Sequence, residues 1–236
     1  MQVEVVDHVA GACRARGIAV VIDVFRAFTV APHAIAAGAS RVLPVGAIED
    51  ALALRKALPD ALLVGERHAR RLPGFDAGNS PTEVLALGVA GRPVVHTTHA
   101  GTQGLVNAAG ADEVLTGSLV NVSAIARYVR SRGPAQVTLV RMGHEARERC
   151  AEDDLCAATL VELLGGGVPP GTSRVRDLLR DAPAARKFFD PACDWAPRPD
   201  FDYCTEVDRF DFVLRLRTAA DGLRELERID VPAGAP

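Results

Sequence analysis

Residues Ile18–Phe25 read IAVVIDVF. Apart from Asp23 every side chain in this run is apolar, and nothing in it alternates. A strand with one wet face alternates apolar and polar residues, whereas a strand covered on both faces is apolar nearly throughout. The stretch therefore predicts a strand buried in a parallel sheet, ending on a lone carboxylate.

Outward from it the pattern repeats. FTVAPHAIAAGA (28–39) reads as a helix with Gly38 placed to end it. RVLPV (41–45) predicts a second strand, and residues 48–58 a helix whose leucines and alanines recur at three and four. Pro59-Asp60 is turn chemistry before ALLVGE (61–66), a third strand. PVVHTT (93–98), DEVLTGS (112–118) and QVTLVRMG (136–143) follow as strands, separated by the helix-like GTQGLVNAAG (101–110) and VNVSAIARYVRSRG (120–133). DDLCAATLVELLGGG (153–167) closes the regular series. This alternation predicts an α/β fold, three-layer α/β/α with a mostly parallel doubly wound sheet. The chain is read as a single domain over 1–236, regular over 1–168 and less regular over 169–236. There FDFVLRLRTAADGLRELERID (210–230) predicts an added C-terminal strand or hairpin.

Charge excludes one class of partner. The 27 Lys and Arg are outnumbered by 30 Asp and Glu, so there is no basic footprint for nucleic acid. The five cysteines (Cys13, Cys150, Cys156, Cys193, Cys204) are odd in number and form no Cys-x-x-Cys pair, which argues against a disulfide framework or zinc ribbon. The first residues lack the order of a signal peptide, and no apolar run approaches the roughly 18 residues of a membrane span. The expectation is a cytoplasmic protein without nucleic-acid or membrane partners, with a homo-oligomer left open.

The functional signal lies where the strands end. In an open parallel sheet, ligands bind outside the carboxyl ends of the strands. The first strand delivers Asp23 and then Arg26, and the third delivers Glu66 and Arg67. The fourth gives Thr97 and Thr98, followed by Gly101 and Thr102 at a helix start. The fifth gives Gly117, Ser118 and Asn121; the sixth gives Gly143 and His144, then Glu152, Asp153 and Asp154. The connection GERHARRLPGFDAGNSPTE (65–83) is far longer than the usual 4–6 residues or so and adds Asp76 and Asn79. In it Ser80, Pro81 and Glu83 have the form of an N-cap and capping box.

Hydroxyls, glycines and helix N-termini grip anionic oxygens, and Arg26 adds a forked donor suited to phosphate or sulfonate. Carboxylates among such groups repel an anion unless a cation intervenes, and Mg²⁺ is the natural one for oxygen ligands. The set predicts a metal-bridged small phosphate. Each member has a structural alternative: Asp23 and Ser80 as helix caps, Glu66 as an ion pair with a nearby arginine, Thr97 and Thr98 as ordinary strand ends. Glu152 and Asp153 are favoured at a helix start whatever their function. His96, His99 and His144 share no metal-ligand spacing and are read as packed or solvated. Arg70 and Arg71 are read as loop surface.

Taken in order, VVIDVFRAFT, GER with GFDAGNSPTE, TTHAGTQGL, GSLVNVSAIA, AEDDLCAATLV and DYCTEVDRFDFV resemble the 2-phosphosulfolactate phosphatase family over nearly the whole chain. The resemblance implies a Mg²⁺-dependent hydrolase that takes phosphate from 2-phosphosulfolactate, a step towards coenzyme M in the family's first-known setting. Carried over, it makes Asp23, Arg26, Glu66, Asp76, Asn79, Thr98, Glu152 and Asp153 the site candidates. HARR (68–71), His99-Ala100-Gly101-Thr102 and Arg141-Met142-Gly143 depart from the family pattern at the presumed ligand end.

The resulting expectation assigns catalysis to Asp23, Arg26, Glu66 and Asp76. Mg²⁺ ligands are drawn from Asp23, Glu66, Asp76, Glu152 and Asp153. A small anionic phosphate ester is held by Arg26, Asn79, Thr97, Thr98, Gly101, Thr102, Ser118 and Asn121. Two rival classes use the same anion donors: a lyase or isomerase of phosphorylated hydroxy acids, and a non-catalytic binder of anionic metabolites.

Overall fold

A computed structural model describes residues 1–232. The apolar run forms β2 (Ile18–Ile22) inside a six-stranded sheet. Its order is β1 (Gln2–Asp7), β8 (Gln136–Arg141), β2, β7 (Glu113–Gly117), β9 (Phe212–Thr218) and β10 (Arg224–Asp230). The first four run parallel, and β9 and β10 are the antiparallel C-terminal hairpin. The absence of alternation in β2 is explained by its surroundings. Ile18, Val20 and Ile22 join one core with Leu115, Leu139 and Val213, while Ala19 and Val21 join another with Val140 and Leu214.

The α/β class, the mostly parallel pairing and the hairpin follow the sequence, but the strands divide between two sheets. The second has the order β3 (Arg41–Pro44), β6 (Pro93–Thr97), β4 (Leu62–Arg67), β5 (Arg70–Arg71). A shared core joins Val42, Leu62, Val64 and Val94 of this sheet to Val21, Val140 and Leu214 of the first. Helices α2 (Ala27–Ala36) and α5 (Gly101–Asn107) contribute Phe28, Val30, Ala31 and Leu105 to it. The opposite face of the small sheet packs Leu43, Leu63 and Val95 with Ala51 of α3 (Ile48–Ala57). The opposite face of the large sheet is covered by α6 (Val122–Arg132), α7 (Ala151–Leu164), α8 (Thr172–Leu179) and α9 (Pro199–Thr205). At the edge of the small sheet, Arg41 on β3 reaches the hairpin, pairing with Glu225 at 2.5 Å and Asp221 at 2.6 Å.

The strand β1 and the short helix α1 (His8–Ala12) carry no strong sequence signal, because β1 is an edge strand with Val5 exposed. The N-cap of α4 (Pro81–Ala86) follows the sequence, with Ser80 Oγ accepting the Glu83 N–H at 3.2 Å, but the box does not close on Ser80: Glu83 Oε2 accepts the Gly78 N–H at 2.7 Å.

Burial has a consequence for pH. His96 on β6 is 1% exposed, its Nε2 lies 3.1 Å from Asn79 Oδ1, and burial pushes its pKa down to about 4. Below the ordinary value of about 6.5 the unfolded chain takes up a proton that the folded ring refuses. This group's contribution to stability is therefore complete above pH 6.5 or so and falls towards pH 4, by about 1.4 kcal/mol per pH unit. His96→Gln is expected to flatten that part of the urea-midpoint profile. Parallel profiles for the two proteins would contradict it.

Candidate active site

The carboxyl ends of strands from both sheets meet at one pocket. Asp23 follows β2 and Gly143 follows β8 in the large sheet; Glu66 is next to last in β4 and His99 follows β6 in the small one. Arg26, Asn79, Glu152 and Asp153 complete the part of this lining that the sequence anticipates. Asp23, Glu66, Glu152 and Asp153 are each buried to 7% exposure or less. Buried carboxylates resist ionisation unless charge or hydrogen bonds compensate.

Their partners explain how they are held. Asp153 Oδ1 accepts the Val24 N–H at 2.9 Å and Oδ2 the Gly143 N–H at 2.8 Å, so this carboxylate ties the ends of β2 and β8 together. Glu66 does the same for the small sheet: Oε2 accepts the Ala69 N–H and Oε1 the His99 N–H, both at 2.7 Å. Asp23 Oδ1 accepts the Ala27 N–H at 3.2 Å. A Cβ built on Gly101 would lie 2.7 Å from Asp23 Oδ2, so only glycine lets α5 start this close to the carboxylate. Glu152 Oε2 is enclosed without a hydrogen-bond partner among the described residues.

Crowding shows in the protonation behaviour. Burial above all, and then Glu66, pushes the Asp23 carboxyl up to about 7 against the pull of the Ala27 N–H. Burial, followed by Asp23 and Glu152, holds Asp153 well above the usual carboxylate range. Burial likewise raises Glu152. Four acids share this enclosure, and oxygen donors are what a hard divalent cation takes, although among the described residues no three of these acids bring ligand atoms within 4.8 Å of one another. Cys150 also lines the pocket, but burial pushes its thiol up, so no reactive thiolate is formed there.

Two residues of this site carry no sequence signal. Lys187, in the short 3₁₀ turn Pro183–Phe188, lines the pocket beside the Phe188 and Phe25 rings, at 5.1 and 5.9 Å from their centroids. Burial first, then Arg26, lowers its pKa. Asp200 on α9 is fully buried and accepts from Arg26 Nη1 at 2.6 Å. Its other oxygen accepts from the Thr82 N–H at 2.9 Å and Thr82 Oγ1 at 2.6 Å. Arg26 Nη1 also donates to Trp195 O at 3.1 Å. The guanidinium is thus aimed by the least regular part of the chain.

Other expected members stand elsewhere. Asp76 is a correction: its Oδ2 accepts from Arg55 on α3 and from the Leu63 N–H, so it locks the long loop to β4 and does not join the cluster. Thr98 and Thr102 cap each other, with Thr98 N–H on Thr102 Oγ1 at 2.9 Å and Thr102 N–H on Thr98 Oγ1 at 3.1 Å. Those amides therefore do not offer the anion cradle the sequence suggested. Thr97 Oγ1 accepts from Arg67 Nη2 at 3.1 Å, Ser118 Oγ lies 2.9 Å from Thr29 Oγ1, and Asn121 Nδ2 donates to Phe212 O at 3.0 Å. These three side chains serve the fold behind the pocket and are not among its lining residues.

Among the described residues, no helix is long and apolar enough to cross a membrane. A family model described as 2-phosphosulpholactate phosphatase matches residues 4–219. A "Probable 2-phosphosulfolactate phosphatase" of Caldanaerobacter subterraneus subsp. tengcongensis is 32% identical over 215 residues, spanning 84% of this chain and 87% of that protein. A protein of the same name from Deinococcus radiodurans is 42% identical over 145 residues, 61% of this chain and 60% of its own. One from Bacillus subtilis is 28% identical over 207 residues, 85% and 87% of the two chains.

Proposed function

This chain belongs to the 2-phosphosulfolactate phosphatase family, and on that premise we propose that it is a Mg²⁺-dependent hydrolase of a small phosphate monoester, with 2-phosphosulfolactate as its substrate. The observation that carries the metal dependence is the enclosed Glu152 Oε2, unpartnered among Asp23, Glu66 and Asp153. Asp23, Glu152 and Asp153 are the residues to hold Mg²⁺, with Glu66 at their side. When bound, the ion supplies counter-charge to the phosphoryl oxygens and a template for in-line displacement.

The protein's own groups supply the rest. Arg26 keeps donors beyond the nitrogen bound to Asp200, and with Lys187 it grips the phosphoryl oxygens as charge develops. Asp200 fixes the angle of that grip. Attack of water on phosphorus breaks the bond to the sulfolactate oxygen: Asp23 is the carboxylate placed to take the water's proton, and the leaving oxygen takes up a proton to become the hydroxyl of the product. Asp153 keeps the backbone at Val24 and Gly143 in place while this happens.

Incubation of the protein with 2-phosphosulfolactate and Mg²⁺ is expected to release phosphate and sulfolactate in equal amounts. Chelation with EDTA is expected to abolish release and added Mg²⁺ to restore it. Full activity in chelator would remove the metal from the scheme. Phosphate accompanied by an unsaturated acid would make the protein a lyase, and binding without release would make it a carrier of anionic metabolites.

A further inference from the structure

Beside the same pocket, which His99 and Glu145 help to line, His68, His99 and Glu145 each bring a ligand atom to within 4.8 Å of the others. We propose that these three residues form a second cation site, selective for a borderline transition ion of the zinc class. The proposal stands apart from the phosphatase reading and does not require it.

The donor set gives the selectivity. Two imidazoles and one carboxylate suit Zn²⁺ and its neighbours, whereas Mg²⁺ prefers oxygen alone. The same three-ligand composition leaves a fourth coordination position open in catalytic zinc sites. Here His99 and Glu145 both line the pocket.

The geometry is close to what coordination needs. His68 Nδ1 lies 2.6 Å from Glu145 Oε1, and the His68 and His99 ring centroids are 4.9 Å apart. Bonds of about 2.0–2.2 Å in a tetrahedron place ligand atoms roughly 3.3 Å from one another. His99 Nδ1 is enclosed with no hydrogen-bond partner among the described residues.

The backbone beneath the ligands is fixed. Glu66 holds both histidine-bearing turns, through the N–H groups of Ala69 and His99. Glu145 sits in a turn closed by the His144 N–H on Glu148 O at 2.7 Å and anchored by Gly143 on Asp153. His68, Ala69, Glu145 and Ala146 all have positive φ, at 53°, 62°, 51° and 55°. Glycine would occupy such positions without cost, and non-glycine residues persist there where the surroundings over-determine them. The sequence reading set His99 aside because the histidines show no local ligand spacing. The ligands come instead from three separate strand ends brought together by the pairing of β4 with β6 and by the meeting of the two sheets.

The test uses the full-length protein, stripped of metal and then kept saturated with Mg²⁺, and titrated with Co²⁺ as a spectroscopic substitute for zinc. One saturable equivalent with the visible absorption of a four-coordinate ion is expected, displaced by Zn²⁺. His68→Ala, at an exposed side chain, and His99→Ala are each expected to weaken binding by at least the factor of about 10–100 that loss of even an outer partner costs. Asp23→Asn is expected to leave the cobalt spectrum unchanged. No saturable absorption, or equal affinity in His68→Ala, would overturn the site. Bands lost in Asp23→Asn and kept in the histidine variants would place the ion among the carboxylates, which also overturns it.

Discussion

Asp23→Asn is expected to lower phosphate release by about 10²–10⁴-fold, the range over which a positioned proton acceptor acts, and at the same time to make the metal-free protein more stable. The two effects have one origin. Asp23 is 7% exposed, faces Glu66, and has its carboxyl pushed up to about 7. An acid whose folded pKa is raised stabilises the fold below its unfolded value, about 3.9, and that contribution is lost as pH rises through the folded value. At pH 8 the wild-type chain, held in chelator, has lost it. Asparagine does not titrate, and its Oδ1 can still accept the Ala27 N–H. The gain is expected to be on the order of 1–3 kcal/mol, a rise in Tm of a few degrees for a chain of this size. It should vanish near pH 4. Thermal unfolding of both proteins in EDTA at pH 4 and pH 8 checks this, and an Asn variant less stable than wild type at pH 8 would sink it.

Asp200→Ala is expected to cost about 3–5 kcal/mol of unfolding free energy, the usual result of leaving one member of a buried ion pair uncompensated. Arg26 and Asp200 are 2% and 0% exposed, so solvent does little to soften the loss. The Thr82 N–H and hydroxyl lose their acceptor in the same step. Activity should fall too, because the guanidinium loses the group that aims it at the pocket. Asp200→Asn, which keeps an acceptor for Thr82, is expected to recover part of the stability and little of the activity. Urea unfolding of both variants decides the matter; an Asp200→Ala midpoint equal to wild type would show that the pair is not held as described.

Much of this arrangement was legible in the sequence, for local reasons. The unbroken apolar run of β2 reports burial on both faces, and the Ser80-Pro81-Glu83 pattern reports a helix start through one hydrogen bond three residues apart. Asp23, Arg26, Glu66, Asn79, Glu152 and Asp153 were readable as neighbours because each follows or ends a strand, or opens the helix after one. What was hidden depends on pairing over long distances. Arg26 and Asp200 lie 174 residues apart, and no periodicity links them. Lys187 sits in a turn without amphipathic pattern. Asp76 shares its loop with Asn79, but the packing of α3 brings Arg55 to it, and no local motif signals that approach. The division into two sheets is likewise a matter of which strand edges meet, and a strand's own residues do not record its neighbours.

That division has a mechanical consequence. Asp23 follows a strand of the large sheet, Asp153 on α7 is tied to that sheet through the Val24 and Gly143 N–H groups, and Glu66 lies on the small sheet, so the spacing of these acids depends on how the two sheets pack. The shared core and the Arg41 ties to Asp221 and Glu225 join the two sheets away from the pocket. A change that shifted one sheet against the other would therefore alter the cleft without touching a lining residue, and a misplacement of about 1 Å is enough to cost about 10²-fold in rate.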